Sequence, residues 1–213
     1  APADGVLVYN ATDKNVMSVI DAYRGRRVPF SRVDFPLTIP GEHNAMNASA
    51  VIAMSNVLGL SHGALTEFAG AGHRLEKVQD TASLVIYDDY AHHHAQVRTT
   101  MSAIRREYPD DFFIAVLEPH QISRYAQNTG EYIAALATAD IGVITKFWPG
   151  REGHLALPDV NADIKQYGAT NIVYIPDIEE TVSYVKSHIP AGRRVVILVM
   201  GAGQSYKISN GLR

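Results

Sequence analysis

Carboxylate, phenol and imidazole groups are concentrated in the segment from Tyr87 to His94, whose sequence is Tyr-Asp-Asp-Tyr-Ala-His-His-His. Carboxylates accept hydrogen bonds or bind cations, and imidazoles exchange protons near neutral pH. The segment follows the apolar run from Ala82 to Ile86 and precedes a helical pattern from about Ala95 to Glu107. Because α/β folds bind ligands where strands end, this segment is predicted to be a functional site.

Two further polar clusters stand at similar places in the chain. The first, from Pro40 to Ala48, precedes a long apolar-periodic helix. In it, Asn44 and Asn47 are three residues apart, so on a helix they share a face and can present two amides to one planar ligand. The alternative is a helix cap followed by an exposed polar face.

The second cluster, from Leu117 to Arg124, follows the apolar run from Phe112 to Val116. His120 and Arg124 are one helical turn apart, and together they form a plausible clamp for a carboxylate such as that of an amino acid. A solvated surface pair is the alternative. Arg74, after Gly72, is placed to reach a phosphate or ribose, or else it is an ordinary surface cation.

The aspartates and histidines of the segment from Tyr87 to His94 give little support for a metal site. Asp88 and Asp89 are adjacent on an extended segment, so their side chains point to opposite sides, and one is expected to cap the next helix while the other faces the cleft. The three consecutive histidines lack the usual spacings of zinc ligands. No metal ligands are therefore predicted.

Two later motifs have modest interpretations. Gly201 to Gly203, with the sequence Gly-Ala-Gly, is a weak dinucleotide signal and is interpreted as a tight turn that passes close to the cleft. Trp148 lies in a predicted loop after a strand, where packing is favoured over stacking on a ligand.

Composition limits the classes of function. The 213 residues are 46% hydrophobic, with 19 Lys plus Arg against 22 Asp plus Glu and no Cys. This balance lacks the basic surface that nucleic-acid binding needs, and the absence of Cys excludes thiolate chemistry. No apolar run reaches the roughly 20 residues that span a bilayer, and no signal peptide is recognised. The expectation is a cytoplasmic protein without nucleic-acid or membrane partners.

Short β-branched runs alternate with helical periodicity, which is typical of βαβ units and a mainly parallel sheet. The region from Arg26 to Ile39 is broken by prolines and is a poor candidate for a central parallel strand. Strands are predicted at Val6–Tyr9, Leu84–Tyr87, Phe112–Leu117, Ile141–Thr145, Ile172–Ile175 and Val195–Met200. Helices are predicted at Lys14–Tyr23, Asn44–Leu58, His62–Phe68, Ala95–Glu107, Thr129–Ala137, Val160–Tyr167 and Ile178–His188.

The order of these motifs resembles that of the Mur ligases, the ATP-dependent enzymes that add amino acids to the peptidoglycan precursor. The resemblance extends from about Ile39 to Ile208 and is nearest to the branch that joins L-alanine to UDP-N-acetylmuramate. It rests on five motifs in order: His43-Asn44 with Asn47-Ala48, Gly72 with Arg74, Asp88 to His93, Leu117 to Arg124, and Gly201 to Gly203.

The resemblance implies a role for each candidate residue. The nucleotide-binding residues would be His43, Asn44, Asn47, Arg74 and Asp89. The substrate-binding residues would be Tyr90, His92, His93, His120 and Arg124. ATP would phosphorylate the carboxylate of UDP-N-acetylmuramate, and the amino group would attack the acyl phosphate, with Mg²⁺ neutralising phosphate charge.

The resemblance also implies two domains, with a boundary at Ala71 and Gly72, where Gly70 and Gly72 suit a hinge. Residues 1–71 would be the truncated end of a central ATP-binding domain, and residues 72–213 a Rossmann-like C-terminal domain. No G-x-x-x-x-G-K-[ST] sequence occurs in the chain. The catalytic phosphoryl-transfer groups, and most contacts to ATP and Mg²⁺, are therefore expected outside it, and the chain alone is expected to be inactive.

Three positions depart from the family pattern. His94 replaces a usual Pro, Gln121 a usual Arg and Tyr125 a usual Thr. The departures at 121 and 125 keep open a ligase that recycles murein peptides by attaching a whole peptide. A stand-alone module that binds a nucleotide or an amino acid also stays open, whereas a Rossmann-like oxidoreductase is disfavoured because no full G-x-G-x-x-G is present.

Overall fold

A computed structural model describes residue 2 and residues 4–39, 41–68 and 72–213. The chain divides into two compact units, residues 1–69 and 70–213. The predicted boundary and hinge involve Gly70 and Ala71, which lie outside the described residues.

The first unit contains a two-stranded parallel sheet, β1 (Val6–Asn10) and β2 (Arg26–Phe30). The helices are α1 (Lys14–Val19), which continues into a 3-10 turn, α2 (Glu42–Leu58) and the 3-10 segment Gly63–Glu67. Its prolines make the region that contains β2 a poor candidate for a central parallel strand on sequence alone. Within the described residues β2 pairs only with β1, and a strand with one neighbour tolerates the missing N–H of Pro29.

The second unit is a six-stranded sheet with the strand order β3-β4-β8-β5-β6-β7. Only β3 is antiparallel to its neighbour, which confirms the predicted α/β class and the mainly parallel sheet. Its strands are β3 (Glu76–Asp80), β4 (Leu84–Asp89), β5 (Phe112–Leu117), β6 (Ile141–Ile144), β7 (Ile172–Tyr174) and β8 (Val195–Met200). Its helices are α3 (His94–Glu107), α4 (Ile122–Gln127), α5 (Thr129–Leu136), α6 (Val160–Gln166), α7 (Ile178–Ser187) and α8 (Tyr206–Leu212).

Alternating side chains of the central strands form two separate cores, as the period of two in a strand requires. On one face, side chains such as Tyr87, Phe113 and Leu198 pack against α3 to α6. On the other face, side chains such as Ile114 and Ile197 pack against α7 and α8. Each strand is therefore apolar on both sides, which explains its continuous hydrophobic sequence.

The strand order creates a crevice at the carboxyl edge. β8 lies between β4 and β5, although it is the last strand in the chain. The loops after β4 and β5 lead to helices on one face, whereas the loop after β8 leads to α8 on the other. Chain paths that diverge in this way leave a crevice beside the strand ends, which is where ligands bind in open α/β sheets.

Candidate functional site

Five of the predicted residues form a continuous row along this crevice. The ring centroids of Tyr90 and His92 are 5.3 Å apart, and those of His92 and His120 are 4.9 Å apart. At one end, the guanidinium carbon of Arg74 lies 5.0 Å from the centroid of Tyr90. At the other end, Nη1 of Arg124 lies 3.4 Å from Nδ1 of His120. We call these five residues the cation–aromatic row.

Hydrogen bonds define what the two imidazoles of the row present to a ligand. Nδ1 of His92 is 2.9 Å from the carbonyl oxygen of Tyr90, which only accepts, so Nδ1 carries the proton and Nε2 is left as an acceptor. Nδ1 of His120 faces the guanidinium of Arg124, which only donates, so in the neutral ring Nε2 carries the proton. The row thus offers one proton acceptor and one donor side by side.

Both imidazoles favour the neutral form. Burial lowers the pKa of His92, and the charges of Arg124 and Arg74 act in the same direction. Burial also lowers the pKa of His120, assisted by His92 and Arg124. Near neutral pH the positive charge of the row therefore resides on its two arginines, with uncharged proton carriers between them.

His93 lies beside the row and has a different local role. It is the N-cap of α3, where its Nδ1 accepts the N–H of Ala95 at 3.3 Å. In turn, the side-chain oxygen of Gln96 accepts the N–H of His93 at 3.4 Å. The prediction that Asp88 or Asp89 caps this helix is therefore wrong, because four residues separate the end of the strand from the first residue of the helix. Burial lowers the pKa of His93 as well.

The two aspartates point to opposite sides of β4, as the extended backbone requires. Asp89 accepts the N–H of Leu75 at 2.8 Å and that of Ala91 at 2.6 Å, while Asp88 accepts the hydroxyl of Ser209 at 2.6 Å. Their exposed fractions are 4% and 2%, so both carboxylates are buried, and the expectation that one of them faces the cleft stays a prediction. Burial raises the pKa of Asp89. Its contact with a ribose stays a prediction.

Glu118 is a residue of the crevice that the sequence did not single out. Its carboxylate accepts the N–H groups of Gly203 and Gln204, each at 2.8 Å. A Cβ on Gly203 would lie 2.5 Å from both Glu118 Oε1 and Trp148 Cγ, so the Gly-Ala-Gly loop is a close-packed turn. Burial raises the pKa of Glu118. Its signal in the sequence was a carboxylate at a strand end, one residue before Pro119.

The remaining predicted nucleotide contacts belong to the first unit. His43, Asn44 and Asn47 all lie in the first two turns of α2, which begins after Gly41 with φ of 109°. Asn47 is exposed, whereas His43 and Asn44 are half-buried. The helix confirms the spacing argument for the two amides, and their contact with a nucleotide stays a prediction.

The described residues do not fit a Mg²⁺ site. In residues 2, 4–39, 41–68 and 72–213, no three His, Asp or Glu side chains converge as metal ligands. The carboxylates at the crevice, Asp88, Asp89, Glu118 and Glu152, each accept hydrogen bonds from the chain itself. Among the helices of the described ranges, none combines the length and apolar character needed to cross a bilayer.

Two arginines with neutral imidazoles between them, at strand ends beside a topological switch point, define an α/β domain whose crevice has the chemistry to accept an anionic ligand. Residues 73–203 match the family described as "Mur ligase, glutamate ligase domain". The chain therefore belongs to the Mur ligase family, which confirms the resemblance drawn from its motifs.

Named relatives agree with this membership. The chain is 31% identical over 192 residues to a UDP-N-acetylmuramate–L-alanine ligase of Nitrosomonas eutropha, which covers 84% of this chain and 40% of the relative. It is 37% identical over 133 residues to the enzyme of the same name from Bifidobacterium adolescentis, and this match covers 61% of this chain and 26% of the relative. The chain thus spans between about a quarter and about a half of the length of the curated relatives it matches.

Two solved structures share the fold. UDP-N-acetylmuramate-alanine ligase of Thermotoga maritima superposes with a TM-score of 0.68 at 23% identity, over 89% of this chain and 40% of that one. A murein peptide ligase of Psychrobacter arcticus superposes with a TM-score of 0.70 at 17% identity, over 99% of this chain and 51% of that one. At these identities the structures show the fold alone.

Proposed function

We propose that this chain carries the amino-acid pocket and part of the adenosine contacts of an ATP-dependent ligase that joins L-alanine to UDP-N-acetylmuramate. The observation that carries the proposal is the cation–aromatic row. It is supported by curated relatives named for that reaction, including one at 31% identity. Residues 1–71 are proposed as the end of the ATP-binding domain and 72–213 as the C-terminal domain.

The row matches the chemistry of a free amino acid. The guanidinium of Arg124 and the Nε2–H of His120 both donate, and a carboxylate accepts such a pair. The Nε2 lone pair of His92 accepts a proton, and an amino acid must lose one from its ammonium group before the nitrogen can attack. The lowered pKa of His92 leaves that lone pair free near neutral pH.

The reaction proposed for the whole ligase proceeds through an acyl phosphate. ATP transfers a phosphoryl group to the carboxylate of UDP-N-acetylmuramate, releasing ADP, and the amine of L-alanine displaces phosphate to form the amide. Arg74 and Asp89 of the second unit are proposed to contact a nucleotide, and His43, Asn44 and Asn47 of the first unit are separately proposed as adenosine contacts. Because no P-loop sequence occurs in residues 1–213, we expect no amide product from the chain alone.

Calorimetric titration with L-alanine tests the pocket. We expect binding that Arg124→Ala and His120→Ala each weaken by about tenfold, the usual cost of a lost charge-assisted hydrogen bond. Arg98→Ala is the matched control, because Arg98 is exposed and pairs with Glu131, 3.8 Å away. L-alanine affinity that survives both pocket substitutions would refute the proposed clamp.

Further titrations separate this proposal from its alternatives. ADP should bind, and Asn44→Ala and Arg74→Ala should each weaken it. Tighter binding of an L-alanine-containing peptide than of L-alanine would instead favour a ligase for whole murein peptides. Amide product formed by the chain alone from ATP, UDP-N-acetylmuramate and L-alanine would contradict the expected absence of phosphoryl-transfer groups.

A further inference from the structure

Arg74 stands between two residues in an unfavourable backbone conformation. His73 has φ of 55° and Leu75 has φ of 48°, both in the left-handed region that residues with a Cβ avoid. The remaining non-glycine residue with positive φ in the described ranges is Gln121, next to His120. Such conformations persist only where the surroundings enforce them, and they cluster at functional sites.

The main chain on both sides of Arg74 is tied to the end of β4. The N–H of Leu75 donates to Asp89 at 2.8 Å, and the Leu75 side chain is 2% exposed within the core. The carbonyl of His73 accepts the N–H of Tyr90 at 2.6 Å, and the N–H of His73 donates to Glu76 at 2.9 Å. These contacts fix the segment from which the Arg74 side chain departs.

The side chain of His73 makes a further contact with a buried charge. Its Nδ1 lies 3.2 Å from Oδ1 of Asp88, whose side chain is 3% exposed. The other oxygen, Oδ2, accepts the hydroxyl of Ser209, whereas Oδ1 accepts no hydrogen bond within the described residues. A buried carboxylate oxygen without a donor favours any cation or N–H that it can reach, so Asp88 attracts the imidazole of His73.

Arg74 acts on Asp89 through its charge, but Arg74 forms no ion pair with that carboxylate in the described residues. Its side chain is exposed, and the ion pairs of the described second unit do not include it. The contact seen is with the ring of Tyr90, at 5.0 Å. A long side chain without an ion pair has many rotamers, so its direction depends on the main chain that carries it.

We propose that Asp88 and His73 are positioning residues that fix the loop 73–75 so that Arg74 rests on the ring of Tyr90. The pair of aspartates then acts from both sides of β4, with Asp88 holding the His73 side chain and Asp89 the Leu75 main chain. Arg74 is thereby ordered before a ligand arrives, which lowers the entropic cost of binding. The effect of this ordering on ligand binding rests on the proposed function, in which Arg74 contacts a nucleotide.

The test measures Arg74 directly, without ligand, in the whole chain. Because Arg74 lies over the face of the Tyr90 ring, its Hδ and Hε protons should show upfield ring-current shifts in NMR spectra. The Tyr90→Leu variant gives the chemical shifts of these protons in the absence of the ring. We expect Asp88→Asn and His73→Phe to lose most of this shift. His188→Phe is the matched control, since His188 is exposed and stacks on Tyr184 at 3.9 Å in the same unit.

A second variant covers the case in which His73→Phe does not fold. His73→Gly removes the imidazole, and because glycine tolerates φ of 55° without strain, this variant should still fold. We expect it to lose the Arg74 shift without loss of stability. A wild-type shift in the folded Asp88→Asn and His73→Gly variants would overturn the inference.

ADP titration then separates this inference from the proposed function. We expect Asp88→Asn and His73→Phe to weaken ADP binding by about threefold to tenfold, with little change in His188→Phe. If the Arg74 shift is lost while ADP affinity is unchanged, the positioning role stands and the proposed nucleotide contact of Arg74 is contradicted.

Discussion

At the scale of single residues, the acidic groups of the crevice hold its loops in place. Three carboxylates stand at strand ends, those of Asp88, Asp89 and Glu118. Their oxygens accept hydrogen bonds from groups that are distant in the sequence. The sequence predicted that Asp88 and Asp89 point apart, because that follows from the backbone. It could not predict their partners, because Ser209 and Leu75 reach them only through the fold of the sheet.

Glu118→Gln tests the effect of one buried carboxylate on stability. Its pKa is raised from 4.5 by burial, so the stability it contributes is full below pH 4.5 and is lost as the pH rises through the raised pKa. At low pH the protonated Glu118 carries one carbonyl acceptor beside an O–H, and Gln carries one carbonyl acceptor beside an N–H₂, so we expect a loss of no more than about 1 kcal/mol in the free energy of unfolding there. Because Gln does not titrate, the variant should gain stability relative to the wild type as the pH rises towards neutral. Urea unfolding across this range measures the difference.

Glu179→Gln, at an exposed position, is the control for this change. At low pH it should leave the free energy of unfolding near the wild-type value. A Glu118→Gln curve that runs parallel to the wild-type curve would show that Glu118 does not titrate differently in the folded chain.

Gly203→Ala tests the close packing of the loop after β8. The new methyl group would lie 2.5 Å from Glu118 Oε1 and from Trp148 Cγ, so the indole must move. We expect a loss of about 1–3 kcal/mol, the usual cost of overpacking, and a shift in tryptophan emission, because Trp148 is the one Trp of the chain. Gly153→Ala meets nothing within 4 Å and should change neither quantity.

At the scale of elements, the predicted strands and helices of the second unit agree with the structure within about two residues, because their apolar periods are strong. β3 was missed, since Glu76–Asp80 has one apolar residue and becomes a strand by pairing with β4. α4 was not predicted as a helix because six residues carry too little periodicity. The position of β8 between β4 and β5 could not be predicted, because local sequence does not determine strand order.

Asp177→Ala tests how α7 begins. The Asp177 side chain accepts the N–H groups of Glu179 and Glu180 at 2.8 and 2.9 Å, which makes it the N-cap. Its loss should lower the free energy of unfolding by about 1 kcal/mol. Asp177→Asn keeps a capping oxygen and should remain near the wild type in urea unfolding. Equal losses in both variants would mean that charge near the helix end, rather than the cap, supplies the stability.

At the scale of the whole molecule, burial is distributed unequally between the two units. Of the buried hydrophobic residues in the described ranges, Ile20 and Ala48 belong to the first unit and all others to the second. A two-stranded sheet with so small a core is marginal by itself. The six-stranded sheet of the second unit, covered on both faces, has the two cores that independent folding requires.

Residues 72–213 should therefore fold when expressed alone. We expect cooperative urea unfolding, the L-alanine affinity of the whole chain, and unchanged emission from Trp148. Residues 1–71 expressed alone should show no cooperative transition. Non-cooperative unfolding of 72–213 would contradict the proposed domain boundary.

The place of β8 in the sheet has a consequence for biosynthesis. β4 and β5 each pair with β8 and not with each other, so the middle of the sheet cannot close until residues 195–200 have left the ribosome. Until then the nascent chain exposes two apolar strand edges, which are the surfaces that aggregate. Premature termination before Val195 should therefore yield insoluble protein, and a chaperone that shields strand edges should matter most during translation of the last few elements.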